Sequence, residues 1–257
     1  EAGLKVSARL GHGKLPSDQS NETYVYLDVS APVDAQAARV PVDLSIVIDR
    51  SGSMQGKRLD NALDAARGMI GRLRDGDRVS VIAYNTRAET LLSPQTVDSR
   101  SRAAAIESLD GIVATGDTCI SCAIDAGMDA LRGDGDGRVK RMLLLSDGQA
   151  TSGVRDIAGF ERIGERARDM GCSISAVGVD VDYNERIMST RALGSNGRHY
   201  FVENAAGLSR IFDEEADSLL KTVASSAEVR LDLAPGVELM QVYDATWPTC
   251  SCRSPIW

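Results

Sequence analysis

The sequence predicts an α/β protein: a doubly wound, mostly parallel sheet with a small flanking β element. Short, nearly continuous apolar runs at 42–48, 78–84, 139–145, 173–179 and 198–202 read as strands covered on both faces. Apolar residues recur at helical spacing between most of these runs, so strand and helix alternate along the chain. The 257 residues are 43% hydrophobic and 26% charged, enough for a sizeable core, and the 4% aromatic share makes that core aliphatic.

Taken in order, Leu4 to Leu10 and Thr23 to Val29 alternate apolar and polar residues, the pattern of two strands joined by a polar connection. The main domain is expected over 41–224, with residues 1–40 and 225–245 as flanking β elements and 246–257 as an irregular tail. Its first helix is marked by Leu59, Ala62, Leu63, Ala66, Met69, Ile70 and Leu73. Further stripes run through Ile120, Ala123, Ile124 and Met128, and through Phe160, Ile163, Ala167 and Met170. Shorter helices are expected over Arg102 to Leu109 and Asn184 to Leu193, and a closing one over 205–223. Ala227 to Leu233 and Val237 to Val242 again read as strands, joined by a turn at Ala234-Pro235-Gly236. With the two opening strands they would build a small sheet or sandwich into which the main domain is inserted.

In a doubly wound sheet ligands bind at the carboxyl ends of the strands. At the end of the first core strand stands Asp49-Arg50-Ser51-Gly52-Ser53-Met54. A carboxylate and two hydroxyls at alternate positions on a glycine-bearing turn can converge on one point. Oxygen donors without sulfur or imidazole suit a hard divalent cation, magnesium first, with manganese or calcium as alternatives. The competing reading makes Asp49, Ser51 and Ser53 caps of the helix beginning near Gly56.

The D-x-S-x-S spacing after an apolar strand resembles the metal-ion-dependent adhesion site (MIDAS) of the von Willebrand factor A domain. Gly116-Asp117-Thr118 resembles that family's threonine loop, and Ser146-Asp147-Gly148, after the strand 142–145, its second aspartate. The resemblance implies Asp49, Ser51, Ser53, Thr118 and Asp147 as the metal set, the hydroxyls in direct contact and the aspartates direct or through water. Asp117 would be an outer-shell acceptor or a turn residue. Neutral hydroxyls leave much of the ion's charge unspent, so a coordination position stays open for an Asp or Glu of a protein partner. The flanking β elements are similar to those of bacterial A-domain proteins and of inter-alpha-trypsin-inhibitor-like chains. Many A domains also switch by a shift of their last helix.

Such a site binds without catalysing, because hydrolysis would need a placed base or nucleophile. Ser51 lacks the G-x-S-x-G elbow, and the two histidines, His12 and His199, stand in no triad context. A net charge of -8 argues against nucleic acid as a partner. The sequence has no run of 18 apolar residues, so no membrane span is expected. The missing first Met fits export with the signal removed, and hence an extracellular, cell-surface or periplasmic place. The alternative function is an accessory subunit docking on an intracellular ATPase, as in chelatase-like complexes. Of five cysteines, Cys119 and Cys122 form a C-x-x-C, read either as small packing residues or as a local disulfide.

Overall fold

The computed structural model describes residues 5–14, 21–30, 40–133, 137–147, 150–179, 197–202, 210–211, 214 and 233–241. The chain divides into two compact units, Glu1–Ser225 and Ser226–Trp257. In the first unit β1 (Lys5–Leu10) pairs antiparallel with β2 (Val25–Ser30), as the alternation predicts. Val6 faces Val29, Ala8 faces Leu27 and Leu10 faces Val25, which puts the apolar residues of both strands on one side of the ribbon.

The main sheet has six strands in the order β5-β4-β3-β6-β7-β8. β3 (Val42–Asp49), β4 (Arg78–Tyr84), β6 (Val139–Ser146), β7 (Cys172–Val179) and β8 (His199–Val202) run parallel and match the predicted strands to within a residue or so. β5 (Ala88–Thr96) has no counterpart in the sequence reading. It is the antiparallel edge strand, and its ladder to β4 shifts register twice, around Val81. Ser93 and Pro94 break its apolar pattern, and proline is tolerated in a sheet chiefly at such an edge.

Alternate side chains of β3 supply two cores. Leu44, Ile46 and Ile48 pack with α1 (Lys57–Arg72) and with Ala105 of α2 (Ser99–Glu107). Val47 packs on the other face with α3 (Ile120–Ala130) and α4 (Ile157–Asp169). α3 approaches so closely that a Cβ at Gly127 would sit 2.6 Å from the Met142 methyl. α2 starts three residues earlier than expected because Asp98 and Ser101 form a capping box.

Of the closing helix, Arg210, Ile211 and Glu214 are described and helical, and Ile211 is buried in the first core. The rest of it, and the helix expected over Asn184 to Leu193, lie outside the described residues. In the second unit Val237 N–H donates to the Ala234 carbonyl (3.1 Å), closing the predicted turn. Residues 237–241 are not in a strand, although the sequence predicts one. Alternating apolar residues become a strand only where a neighbour pairs their backbone groups. The strand expected before the turn lies outside the described residues apart from Leu233.

The chain winds outward from β3 through β4 in one direction and from β6 through β7 in the other. β3 and β6 are adjacent, so the direction reverses between them. That reversal is where an open α/β sheet leaves a crevice at its carboxyl edge. Asp49 ends β3, and Asp147 follows β6 directly.

Candidate metal centre

Asp49 is the fixed point of this edge. Its Oδ1 accepts from Ser51 N–H (2.8 Å), and its Oδ2 accepts from Ser146 Oγ (2.7 Å) and Tyr84 OH (3.1 Å). Tyr84 reaches it because the parallel register sets Asp49 beside Tyr84. The Ser51 and Ser53 hydroxyls lie 3.1 Å apart. Arg58, on the first turn of α1, donates to the Ser53 carbonyl (3.0 Å) and brings its guanidinium 3.9 Å from Asp147 Oδ2.

Thr118 arrives on a loop laced to its neighbours through the backbone. Gly52 N–H donates to the Gly116 carbonyl (2.9 Å), and Thr115 N–H to the Arg50 carbonyl (2.8 Å). Asn85 secures the other side, with its Nδ2 on the Thr115 carbonyl (3.0 Å) and its own carbonyl accepting from Cys119 N–H (2.8 Å). Thr118 N–H donates to Thr151 Oγ1 (2.8 Å), while its carbonyl accepts from the N–H groups of Thr151 and Ser152 (3.0 and 3.1 Å). Asp117 uses its N–H on Thr86 Oγ1 (3.1 Å), and Arg50 points away to Glu89 (2.6 Å).

The electrostatics of the edge are unfavourable to the Asp49 carboxylate. Asp49 is fully buried and Asp147 is 1% exposed. Burial pushes the Asp49 carboxyl up to about 6, against hydrogen bonds from Ser146 and Ser51 that lower it, and the nearby Asp147 charge raises it further. Burial also pushes the Tyr84 phenol well up, and the Asp49 charge adds to that. A buried Asp49 carboxyl with hydroxyls around it and a second buried carboxyl beside it fit a hard cation, which would repay the desolvation of Asp49.

The capping alternative fails on geometry. The N-cap positions of α1 and α3 are held by Gly56 and Cys119, neither with a side-chain cap hydrogen bond. Ser51 begins the short 3-10 turn Gly52–Met54, also without a side-chain cap. Of the predicted set, the structure joins Asp49, Ser51 and Ser53 in one hydrogen-bonded group and sets the Asp147 charge against Asp49. Thr118 is held at the same edge through Gly116 and Gly52. Sequence reasoning missed Tyr84, Asn85, Thr151 and Arg58. Only Tyr84 had a signal, a phenol ending a buried strand that must find a polar partner. Among the described residues there is no cluster of three His, Cys, Asp or Glu that could hold a metal.

Cys119 and Cys122 are joined in a disulfide, which settles the alternative left open by the sequence. Cys172 is a free, buried thiol pushed up to about 12 by its desolvation.

The family model described as von Willebrand factor type A domain matches residues 43–214. The uncharacterized protein sll0103 of Synechocystis is 29% identical over 221 residues, 86% of this chain, while this chain spans 51% of that relative. Among solved structures, a von Willebrand factor type A protein from Catenulispora acidiphila superposes with a TM-score of 0.69 at 21% identity, covering 84% of this chain and 50% of that one. Proximal thread matrix protein 1 of the mussel byssus, with a zinc occupied MIDAS motif, superposes with a TM-score of 0.60 at 17% identity, covering 71% and 46%.

Proposed function

This chain belongs to the von Willebrand factor type A domain family, whose members serve as interaction and adhesion modules, and from that premise we propose divalent-cation-dependent capture of an acidic residue on a protein partner. The observation that carries the proposal is a group of hydroxyls at the sheet's carboxyl edge that cap no helix and gather about the buried Asp49, with a second buried carboxyl, Asp147, close by. Ser51, Ser53 and Thr118 would hold the cation directly, with Asp49 and Asp147 direct or through water. Magnesium is favoured by the all-oxygen donors, with manganese and calcium as alternatives. The zinc in the mussel protein's MIDAS supports a divalent occupant for a site of this kind without fixing which. The bound cation would supply a positive, incompletely coordinated centre that accepts a carboxylate oxygen.

The chain's own residues do the rest. Asp49 is oriented by three donors, and Ser51 is tied to Ser53 rather than to an imidazole. That arrangement supports binding without turnover. Arg58 sets a positive charge at the rim, where it would favour an approaching carboxylate. The Cys119–Cys122 disulfide favours an oxidising compartment, and so a place outside the cytoplasm over docking on an intracellular ATPase. Among the described residues no helix is long and apolar enough to cross a membrane.

The test is calorimetric titration of magnesium and manganese into chelator-stripped protein, followed by a peptide bearing one Glu and its Gln counterpart. Saturable metal binding, with the Glu peptide bound only when metal is present, is expected. Equal binding of both peptides, or the same binding without metal, would contradict the proposal.

A further inference from the structure

The disulfide stands immediately after Thr118 and is not used by the binding reading just given. Cys119 is 2% exposed, and its partner Cys122 is half-buried one turn into α3. Cys119 Sγ lies 3.7 Å from Ser121 Oγ, and that hydroxyl accepts from Val154 N–H (3.0 Å). Gly153 closes the space, with a φ of 71° and a hypothetical Cβ 2.6 Å from Cys119 Sγ and 2.5 Å from Ser121 Oγ. The segment 151–154 is thus packed against the sulfur, and its first two residues hold Thr118 by both N–H and carbonyl.

Resting on the metal reading above, we propose that the Cys119–Cys122 disulfide is a thiol-sensitive clamp that holds Thr118 in its metal-binding position. A dithiol reductant of the thioredoxin or dithiothreitol class would attack the more exposed Cys122 sulfur. A mixed disulfide forms and Cys119 leaves as a thiol; the second thiol of the reductant then displaces Cys122. The S–S bond of the protein gains two electrons and two protons, and the reductant becomes a disulfide. Once unbonded, the two sulfurs must separate to a non-bonded distance. Cys119 is boxed in by Ser121 and Gly153, so whatever part of that separation the Cys122 side chain does not take up pushes on residues 151–154 or on the backbone of 118–119. Both movements disturb the same three hydrogen bonds that position Thr118.

The test uses the full chain with Cys250→Ser and Cys252→Ser, leaving this disulfide and the buried Cys172. Hydrogen exchange and manganese titration are compared in the oxidised, dithiothreitol-reduced and reoxidised protein, and in a Cys119→Ser/Cys122→Ser variant of that background. Reduction should speed exchange at the amides of Thr118, Thr151 and Ser152 while those of β3 and β6 hold. Manganese affinity should fall by roughly ten- to a hundredfold, as for loss of an outer-shell support, and return on reoxidation. Unchanged exchange at the three amides overturns the clamp, as does faster exchange throughout β3 and β6, which would mark a general staple. Faster exchange confined to the three amides with equal manganese affinity in both states also overturns it. The same confined change with no manganese bound in either state upholds the clamp and overturns the metal reading instead.

Discussion

Two kinds of Asp- and Ser-rich loop precede the helices of this protein, and they treat their side chains differently. α2 and α4 are capped by Asp98 and Asp156, whose carboxylates accept from the N–H groups of Ser101 and Gly159 (both 2.7 Å). α1 and α3 follow Ser51, Ser53 and Thr118, yet have Gly56 and Cys119 at their N-cap positions and no side-chain cap. The first pair spends its polar groups on the helix; the second leaves them uncommitted to the helix, beside the reversal point of the sheet. Residue type alone predicts a cap in all four places, so what separates them is position relative to the carboxyl ends of β3 and β6.

The strongest way to break this contrast is at Asp49. Asp49→Asn keeps the shape but removes the charge, and on the proposed reading it should weaken manganese by at least about a hundredfold in calorimetry, since a carboxylate charge beside the cation is lost whether it binds directly or through water. An unchanged affinity would make the edge structural. Without metal the buried charge is a burden, and its sign can be worked out. The Asp49 carboxyl is raised to about 6 from 3.8, so between these values the folded state binds more protons than the unfolded one. Metal-free stability should therefore fall by roughly 3 kcal/mol as pH rises from about 4 to above 6, at 1.36 kcal/mol per pKa unit. Denaturation with and without manganese checks this, and a saturating cation should offset the fall.

A double dissociation sharpens the comparison at intermediate size. Asp156→Ala should cost about 1 kcal/mol in denaturant unfolding and leave metal affinity unchanged, the behaviour of a lost cap. Ser53→Ala should do the reverse, with manganese weakened about tenfold or more and stability shifted by less than about 0.5 kcal/mol. The smallest effect belongs to Arg58, whose guanidinium lies 3.9 Å from Asp147 and is 26% exposed. Arg58→Ala removes a competing cation worth about 1 kcal/mol, so manganese should bind roughly fivefold tighter, most visibly at low salt.

Much of this was legible in the sequence. The parallel strands announced themselves because burial on both faces leaves continuous apolar runs, as in 44–48 and 142–145. β5 did not, because an antiparallel edge strand needs no such run and tolerates Pro94. At the site, Asp49, Ser51 and Ser53 are close in sequence and share a turn, so spacing alone could group them. Tyr84 and Ser146 join Asp49 only through strand register, and Thr151 meets Thr118 only through loop packing, relations that a single sequence does not display. The two cysteines left a disulfide and simple packing equally open, because three-residue spacing at a helix start brings the side chains together in either case; the structure joins them in a disulfide.

The central claim is that the uncapping hydroxyls are held for a cation, and paramagnetic broadening tests where that cation goes. Manganese titrated into isotope-labelled, chelator-stripped protein should broaden the amides of 50–53, 116–118 and 147 first, leaving those of 98–101 and 156–159 sharp. Broadening that begins at the capped helix starts, or spreads evenly over the acidic surface, would contradict it.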